Sequence, residues 1–453
     1  MTEEVDDLGQ WWLPVHDELK VPGRFVWDRE SGGELHLLGQ LIPDEWEDHV
    51  LPGGSVQKVR TKRTEPGSLT YPVIHGQVGR RAFTLLDSYS LRRQERALGE
   101  LALEDIHVNQ LLESSAWFMD GDDLRFDRAT VAMRHLTAWI GRSGINVEHP
   151  RFDRTSDLFS SISTESLPAL DVVSDDGKVS FGQSLSETGD RLHSAGVSQR
   201  WDLHITFDTV QQIDAFIGIA SDIQDLVSIA VGKTASFERV TVRHPEVPLR
   251  SLAGEPIGNV RDEILYRARW SNRSSEVEPV RTHGQFFNFD DFDGTDGVRR
   301  WMTVAQTYRT ELGRVMATRY SAAMYLEDRV MNVCAALDSF DAVRRNAGSP
   351  TINFVDRIKE SIAFAGDPLT QLLPANTDGW AKTVKEVRHD LAHHKVRFRQ
   401  NAIQIDHLLS EQLYWLFVLC VLRLADTPDE VYASISKHPQ FRWLREQANT
   451  TRP

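Results

Sequence analysis

With 453 residues, 40% hydrophobic and 26% charged, the chain has the composition of a globular protein too long for one ordinary core. This excludes collagenous and disordered classes, and two or three domains are expected. The formal charge of −15 argues against nucleic acid as a partner of the whole chain. It is unevenly placed, however: Trp301–Pro453 holds 19 Lys and Arg against 17 Asp and Glu, and the preceding 300 residues hold 32 against 49. Two cysteines, Cys334 and Cys420, are too few for a disulfide framework or a cysteine-based zinc site. Both sit in apolar helical patterns, which fits a reducing, cytoplasmic setting. The acidic start, Met1-Thr2-Glu3-Glu4, has no signal-peptide pattern. The longest apolar run, Leu413 to Leu422, is shorter than a bilayer span, so no membrane partner is expected.

In chain order, Trp11-Trp12 reads as part of a strand packing its aromatics. Arg24–Trp27 and Glu34–Leu38 flank Glu30-Ser31-Gly32-Gly33 as a hairpin, and Tyr71–Val78 and Arg81–Leu86 form a second around Gly79. Further strands are expected at Leu101–Leu111, Trp201–Phe207, Phe237–Val242 and Glu263–Trp270, with an amphipathic helix at Val210–Ile229. The stretch 154–198, rich in Ser, Asp, Gly and Thr, reads as a surface loop or linker. Asp290–Gly297 lacks the spacing and terminal Glu of an EF-hand and reads as an acidic linker. From about Val298 the pattern is helical throughout. Leu326, Val330, Val333, Leu337 and Phe340 step as one buried stripe, and helices follow at Phe354–Phe364, Trp380–His394, Leu408–Leu424 and Pro428–Arg445. Asp378 is placed to cap the helix that holds the residues considered next. The fold class is α+β: a β-rich, sandwich- or barrel-like region over 1–290, then an all-α bundle of four to six helices over 298–453.

Chemistry concentrates at Arg388-His389-Asp390-Leu391-Ala392-His393-His394. It places a permanent cation and several imidazoles within two helical turns, the residue types that hold a phosphodiester and move protons around it. Arg388 and His393 project about 140° apart on an ideal helix, with a rise of about 7.5 Å. They share a target only if the helix frays at His393 or two copies meet. Lys382, Lys385, Lys395, Arg397 and Arg399 surround the motif as candidate RNA contacts. The spacing alone is not distinctive, since Arg239 and His244 repeat it within an expected strand. His389 and His393, one turn apart, could instead open a metal site with Asp390 or Glu386. His389-Asp390 also resembles a phosphohydrolase dyad, but no His lies between Trp301 and Arg388 to complete one. A non-catalytic helical dimerisation or RNA-binding module is the remaining alternative.

Arg388-His389-Asp390-Leu391-Ala392-His393 resembles the Arg-polar-x-x-x-His signature of HEPN domains, small helical bundles that often dimerise and include many ribonucleases. Glu327 followed by Ala336-Leu337-Asp338 resembles the acidic helix of such domains, with Asp where Glu is commoner. A HEPN-like bundle behind a β-rich region with a glycine hairpin at Phe25 to Leu38 is similar to ApeA-type anti-phage proteins. The resemblance implies a metal-independent endoribonuclease, without cofactor, that cuts host RNA (tRNA or another) during infection, as a homodimer or larger assembly answering a phage-derived trigger. Carried over by position, Arg388 and His393 are catalytic and His389 is the accompanying polar residue. Asp338, Glu327 and His394 are supporting residues. A −17 N-terminal part could shield the basic motif, in which case deleting residues 1–290 raises RNA cleavage.

Overall fold

The computed structural model describes residues 5–43, 45–62, 69–94, 102–119, 124–148, 161–174, 177–190, 192–251, 253–269, 280, 284–321, 323–345, 352–393 and 402–450. In chain order the strands and first helices are β1 (Val5–Trp12), β2 (Val21–Asp28), β3 (Gly32–Leu37), β4 (Glu45–Val50), β5 (Val56–Lys62), β6 (Thr70–Val78), β7 (Arg81–Gln94), β8 (Leu103–Ser114), β9 (Arg125–Met133), α1 (Leu136–Ile140), β10 (Ile145–Glu148), β11 (Ser161–Thr164), β12 (Leu170–Ser174), β13 (Gly177–Thr188), β14 (Gly196–Gln212), α2 (Ile213–Val231), β15 (Phe237–Arg243), β16 (Pro248–Arg250), β17 (Pro256–Arg261) and β18 (Ile264–Ala268). Eight helices follow: α3 (Gly294–Thr307), α4 (Arg309–Tyr320), α5 (Leu326–Arg344), α6 (Phe354–Ala365), α7 (Thr377–Ala392), α8 (Ala402–Leu424), α9 (Asp429–Lys437) and α10 (Pro439–Thr450). The class is α+β, β-rich first and helical last.

Two compact units divide the chain discontinuously. The first comprises 1–130, 206–216 and 239–271, and the second 131–205, 217–238 and 272–453.

The first unit is built on a closed antiparallel barrel. Its strand order is β8-β3-β2-β1-β6-β7, and β7 pairs back to β8. Alternation explains it: in β2, Val21, Gly23, Phe25 and Trp27 face inward while Arg24 and Asp28 face water. Trp11, Phe25, Leu35, Phe83, Leu85 and Ile106 meet in the interior. Trp11 lies opposite Gly76 across the β1–β6 ladder. A Cβ at Gly76 would stand 2.1 Å from the Trp11 ring, so only glycine leaves the indole room there. Closure pairs each of the six strands on both sides, and the end of β8 beyond its pairing with β3 is left for a further strand. On the edge it shares with β3, the second half of β8 pairs with β18, which pairs with β15.

The second unit joins strands β12, β13 and the start of β14 to the helices. Where 154–198 is expected to be a loop, its described residues therefore hold β11, β12, β13 and the start of β14. Val172, Val179 and Phe181 bury inward beneath a surface of Ser, Thr and Asp that hides the alternation in the composition. The bundle exceeds the expected four to six helices because two segments are broken. Tyr308 leaves helical geometry between α3 and α4. Pro439 forces His438 into an extended conformation and separates α9 from α10. At the centre, Leu413, Leu416, Phe417, Val418, Leu419 and Cys420 of α8 are each fully buried, the pattern of a helix surrounded on every side. Ile403–Leu424 is apolar and long enough to cross a membrane, but 83% of its most apolar window is buried within the protein.

Helix α2 belongs to this helical core through residues 217–231. Asp222 pairs with Arg309 at 2.8 Å, and its carbonyl accepts the Trp301 indole N–H at 2.7 Å. The Tyr320 hydroxyl donates to Asp225. Burial pushes the carboxyls of Asp222 and Asp225 up, to about 6 and about 7, against the lowering pull of Arg309 and of the Tyr320 bond respectively. Arg319 grips the buried Glu411 carboxylate bidentately, at 2.7 and 2.9 Å, and lies 3.6 Å over the Tyr414 ring.

Candidate functional site

Helix α7 is capped by Asn376, not Asp378: the Asn376 side chain accepts the Gly379 N–H at 2.9 Å. Asp378 sits in the first turn and pairs with Lys359 of α6 at 3.0 Å. Trp380, Ala381, Val384 and Val387 form the buried face of α7. The Trp380 indole donates to Gln412 of α8 at 2.8 Å, anchoring that face.

The opposite face is exposed and of mixed charge, with Glu386 exposed among its basic residues. Lys382, Lys385, His389 and His393 follow at intervals of three, four and four, and all four are exposed. The rings of His389 and His393 have centroids 4.3 Å apart. Helix α7 ends at Ala392, so His393 is its C-cap, with φ −106° and its N–H bonded to the His389 carbonyl at 3.1 Å. Two lysines and two imidazoles therefore share one stripe. His394, Lys395, Arg397 and Arg399 lie outside the described residues.

Arg388 is half-buried on a different flank of α7 and turns toward α5 and α6. Its Nη1 lies 3.1 Å from Oδ2 of Asp338, and its guanidinium stands 4.3 Å over the Phe354 ring. The same carboxylate faces a second cation: Asp338 Oδ1 is 3.4 Å from Nε of Arg357, whose Nη1 donates to the Asp338 carbonyl at 2.8 Å. Sequence reasoning misses Arg357 and Phe354, because nothing in the local pattern of α6 marks them; they matter through the packing of α6 beside α5 and α7. Glu327 is exposed in the first turn of α5, about 16 Å along the helix from Asp338, and is not part of this cluster. Burial pushes the nearby Cys334 thiol up to about 12, so it is no nucleophile.

The structure thus brings Arg388 to Asp338, and His389 to His393, but leaves Arg388 and His393 on separate faces of one helix. Among the described residues no cluster of three or more His, Cys, Asp or Glu side chains could hold a metal. The first unit has a separate concavity of about 240 Å³, lined by Leu86, Asp87, Gln110, Phe126, Asp214 and Tyr266 among others. Among the described residues its lining holds two carboxylates, Asp87 and Asp214, and no basic side chain.

Residues 8–301, about two thirds of the chain, match the family model described as ApeA N-terminal domain 1. The match ends before α5, α6 and α7. No curated protein and no solved structure matches the chain.

Proposed function

The chain belongs to the ApeA family, a membership that points to anti-phage defence, and we propose that it acts there as an endoribonuclease whose site lies on α7. The observation that carries this reading is the exposed stripe of Lys382, Lys385, His389 and His393 beside Arg388, whose five N–H donors are only partly engaged by Asp338. In such a site an imidazole takes the 2′-hydroxyl proton and the 2′-oxygen bonds to the adjacent phosphorus. The P–O5′ bond breaks, and a second imidazole or water returns a proton to the leaving oxygen, giving a 2′,3′-cyclic phosphate. The guanidinium stabilises the charge gathering on the non-bridging oxygens. Because Arg388 and His393 diverge on one helix, a pair of chains, each supplying one of the two groups, is the arrangement that unites them. Lys382 and Lys385 hold the flanking backbone of the RNA.

The test is incubation of total cellular RNA with the purified full-length protein in EDTA, beside His393→Ala. Cleavage by the parent alone supports the reading. Cleavage that EDTA abolishes favours a metal-dependent phosphohydrolase, and equal cleavage by both proteins removes His393 from the site. A cut at residue 290 is a poor companion experiment, since it deletes α2, and with it the partners of Trp301, Arg309 and Tyr320.

A further inference from the structure

Asp338 stands between two guanidiniums from two different helices, Arg388 of α7 and Arg357 of α6. Two cations against one carboxylate leave one positive charge uncompensated, the complement of a single phosphodiester. The arrangement also removes an obstacle to binding. If Arg388 were the sole partner of Asp338, turning it to a phosphate would leave a two-thirds buried carboxylate without a counter-ion, and such orphaned charges are costly. Arg357 is anchored independently, since its Nη1 holds the Asp338 backbone carbonyl at 2.8 Å and its side chain is only 15% exposed.

Resting on the reading of Arg388 as the phosphate-binding cation, we infer that Arg357 is a positioning residue: it compensates Asp338 so that Arg388 is free to turn to an RNA phosphate. The Phe354 ring beneath Arg388 gives the guanidinium a surface over which to pivot. Arg357 acts through Asp338 and does not touch RNA.

Anisotropy of a fluorescein-labelled single-stranded RNA, titrated with full-length protein carrying His393→Ala over a range of salt, separates the possibilities. Arg388→Gln is expected to weaken binding on the order of tenfold and to lower the slope of log K against log salt by about 0.7, one phosphate contact. Arg357→Gln has the same effect on the parent but costs less than about twofold in the Asp338→Asn background, where no carboxylate remains to tie Arg388. Arg357→Lys, which keeps the charge in place, binds nearly as the parent and serves if the glutamine variant melts early. An equal loss from Arg357→Gln in both backgrounds means a simple net-charge or structural effect and overturns the inference, as does parental binding by Arg357→Gln or a lysine variant as weak as glutamine. Parental binding by Arg388→Gln overturns the assignment of Arg388 itself, and the inference with it.

Discussion

Gly76→Ala is expected to destabilise the barrel by about 1–3.6 kcal/mol. The added Cβ would lie 2.1 Å from Cζ3 and 2.3 Å from Cε3 of Trp11, where carbon atoms normally rest near 3.5–4.0 Å, so the indole must retreat by more than about 1 Å. It has nowhere to go. Its ring packs against Phe25 and Phe83 at centroid distances of 5.4 and 5.9 Å, and its N–H donates to the Gly23 carbonyl at 3.2 Å. Overpacking of this kind costs about 1–3 kcal/mol, and loss of the indole bond adds about 1 kcal/mol. The stiffer unfolded chain of the alanine variant returns about 0.4–1 kcal/mol. Urea unfolding followed by tryptophan fluorescence reads the change as an earlier transition. Gly53→Ala, where a Cβ meets nothing within 4 Å, is the control and is expected to be silent within about 0.5 kcal/mol. The colliding atoms belong to the benzene half of the indole, so in a Trp11→Phe background Gly76→Ala should cost less than about 1 kcal/mol. An equal cost in both backgrounds, or none in either, would refute the packing argument.

Arg319→Met strands the buried Glu411 carboxylate and is expected to cost about 3–5 kcal/mol at pH 7 in thermal or urea melts. Burial pushes the Glu411 carboxyl up, and Arg319, helped by His407 and Arg329, brings it below its ordinary value; with Arg319 gone the deficit should shrink as pH falls and Glu411 protonates, and a pH-independent deficit would count against the account. Asp225 is raised to about 7 in the folded protein from an ordinary 3.8. The folded state therefore holds more protons than the unfolded one across that interval, so this group's contribution is present below about pH 4 and is lost as pH rises through 7. Asp225→Asn should flatten the fall in melting temperature between pH 5 and 8, and an unchanged pH profile would show that Asp225 does not titrate there. In the EDTA cleavage assay, His393→Ala is expected to lower the rate at least 100-fold, the scale of one general acid–base group. His389→Ala should cost less if it only accompanies His393, and an equal or larger loss would exchange their roles.

Local pattern made much of this fold legible. Both barrel hairpins, the stripe from Leu326 to Phe340, and helices α6 to α8 sit close to where their periodicity places them. Barrel closure was not legible, because it rests on ladders such as β1–β6 and β3–β8, whose partners lie more than 60 residues apart in sequence. The helix cap was ambiguous for a chemical reason: Asn376 and Asp378 are both good capping residues, and only the geometry shows Asp378 taken by Lys359. The stripe of Lys382, Lys385, His389 and His393 on α7 could have been drawn from the helical period alone. The Asp338 cluster could not, since Arg357 and Arg388 meet only through helix packing.

Strand β8 has one further consequence, for the order of assembly. Its residues Gly33-facing Val108 to Leu37-facing Glu104 complete the barrel, so every strand needed for closure has been made once residue 114 is synthesised. The same edge of β8, at Gln110–Glu113, is reserved for β18, which ends at Ala268. At ordinary translation rates, that edge waits roughly 8–30 s for its partner. Open edges invite pairing with other chains, and charge on the edge discourages it. Glu113 lies in that stretch, and in the finished fold it pairs with both Arg81 of β7 and Arg267 of β18. The sheet is therefore assembled from strands made far apart in time, with the six barrel strands complete before the strand that extends β8 exists.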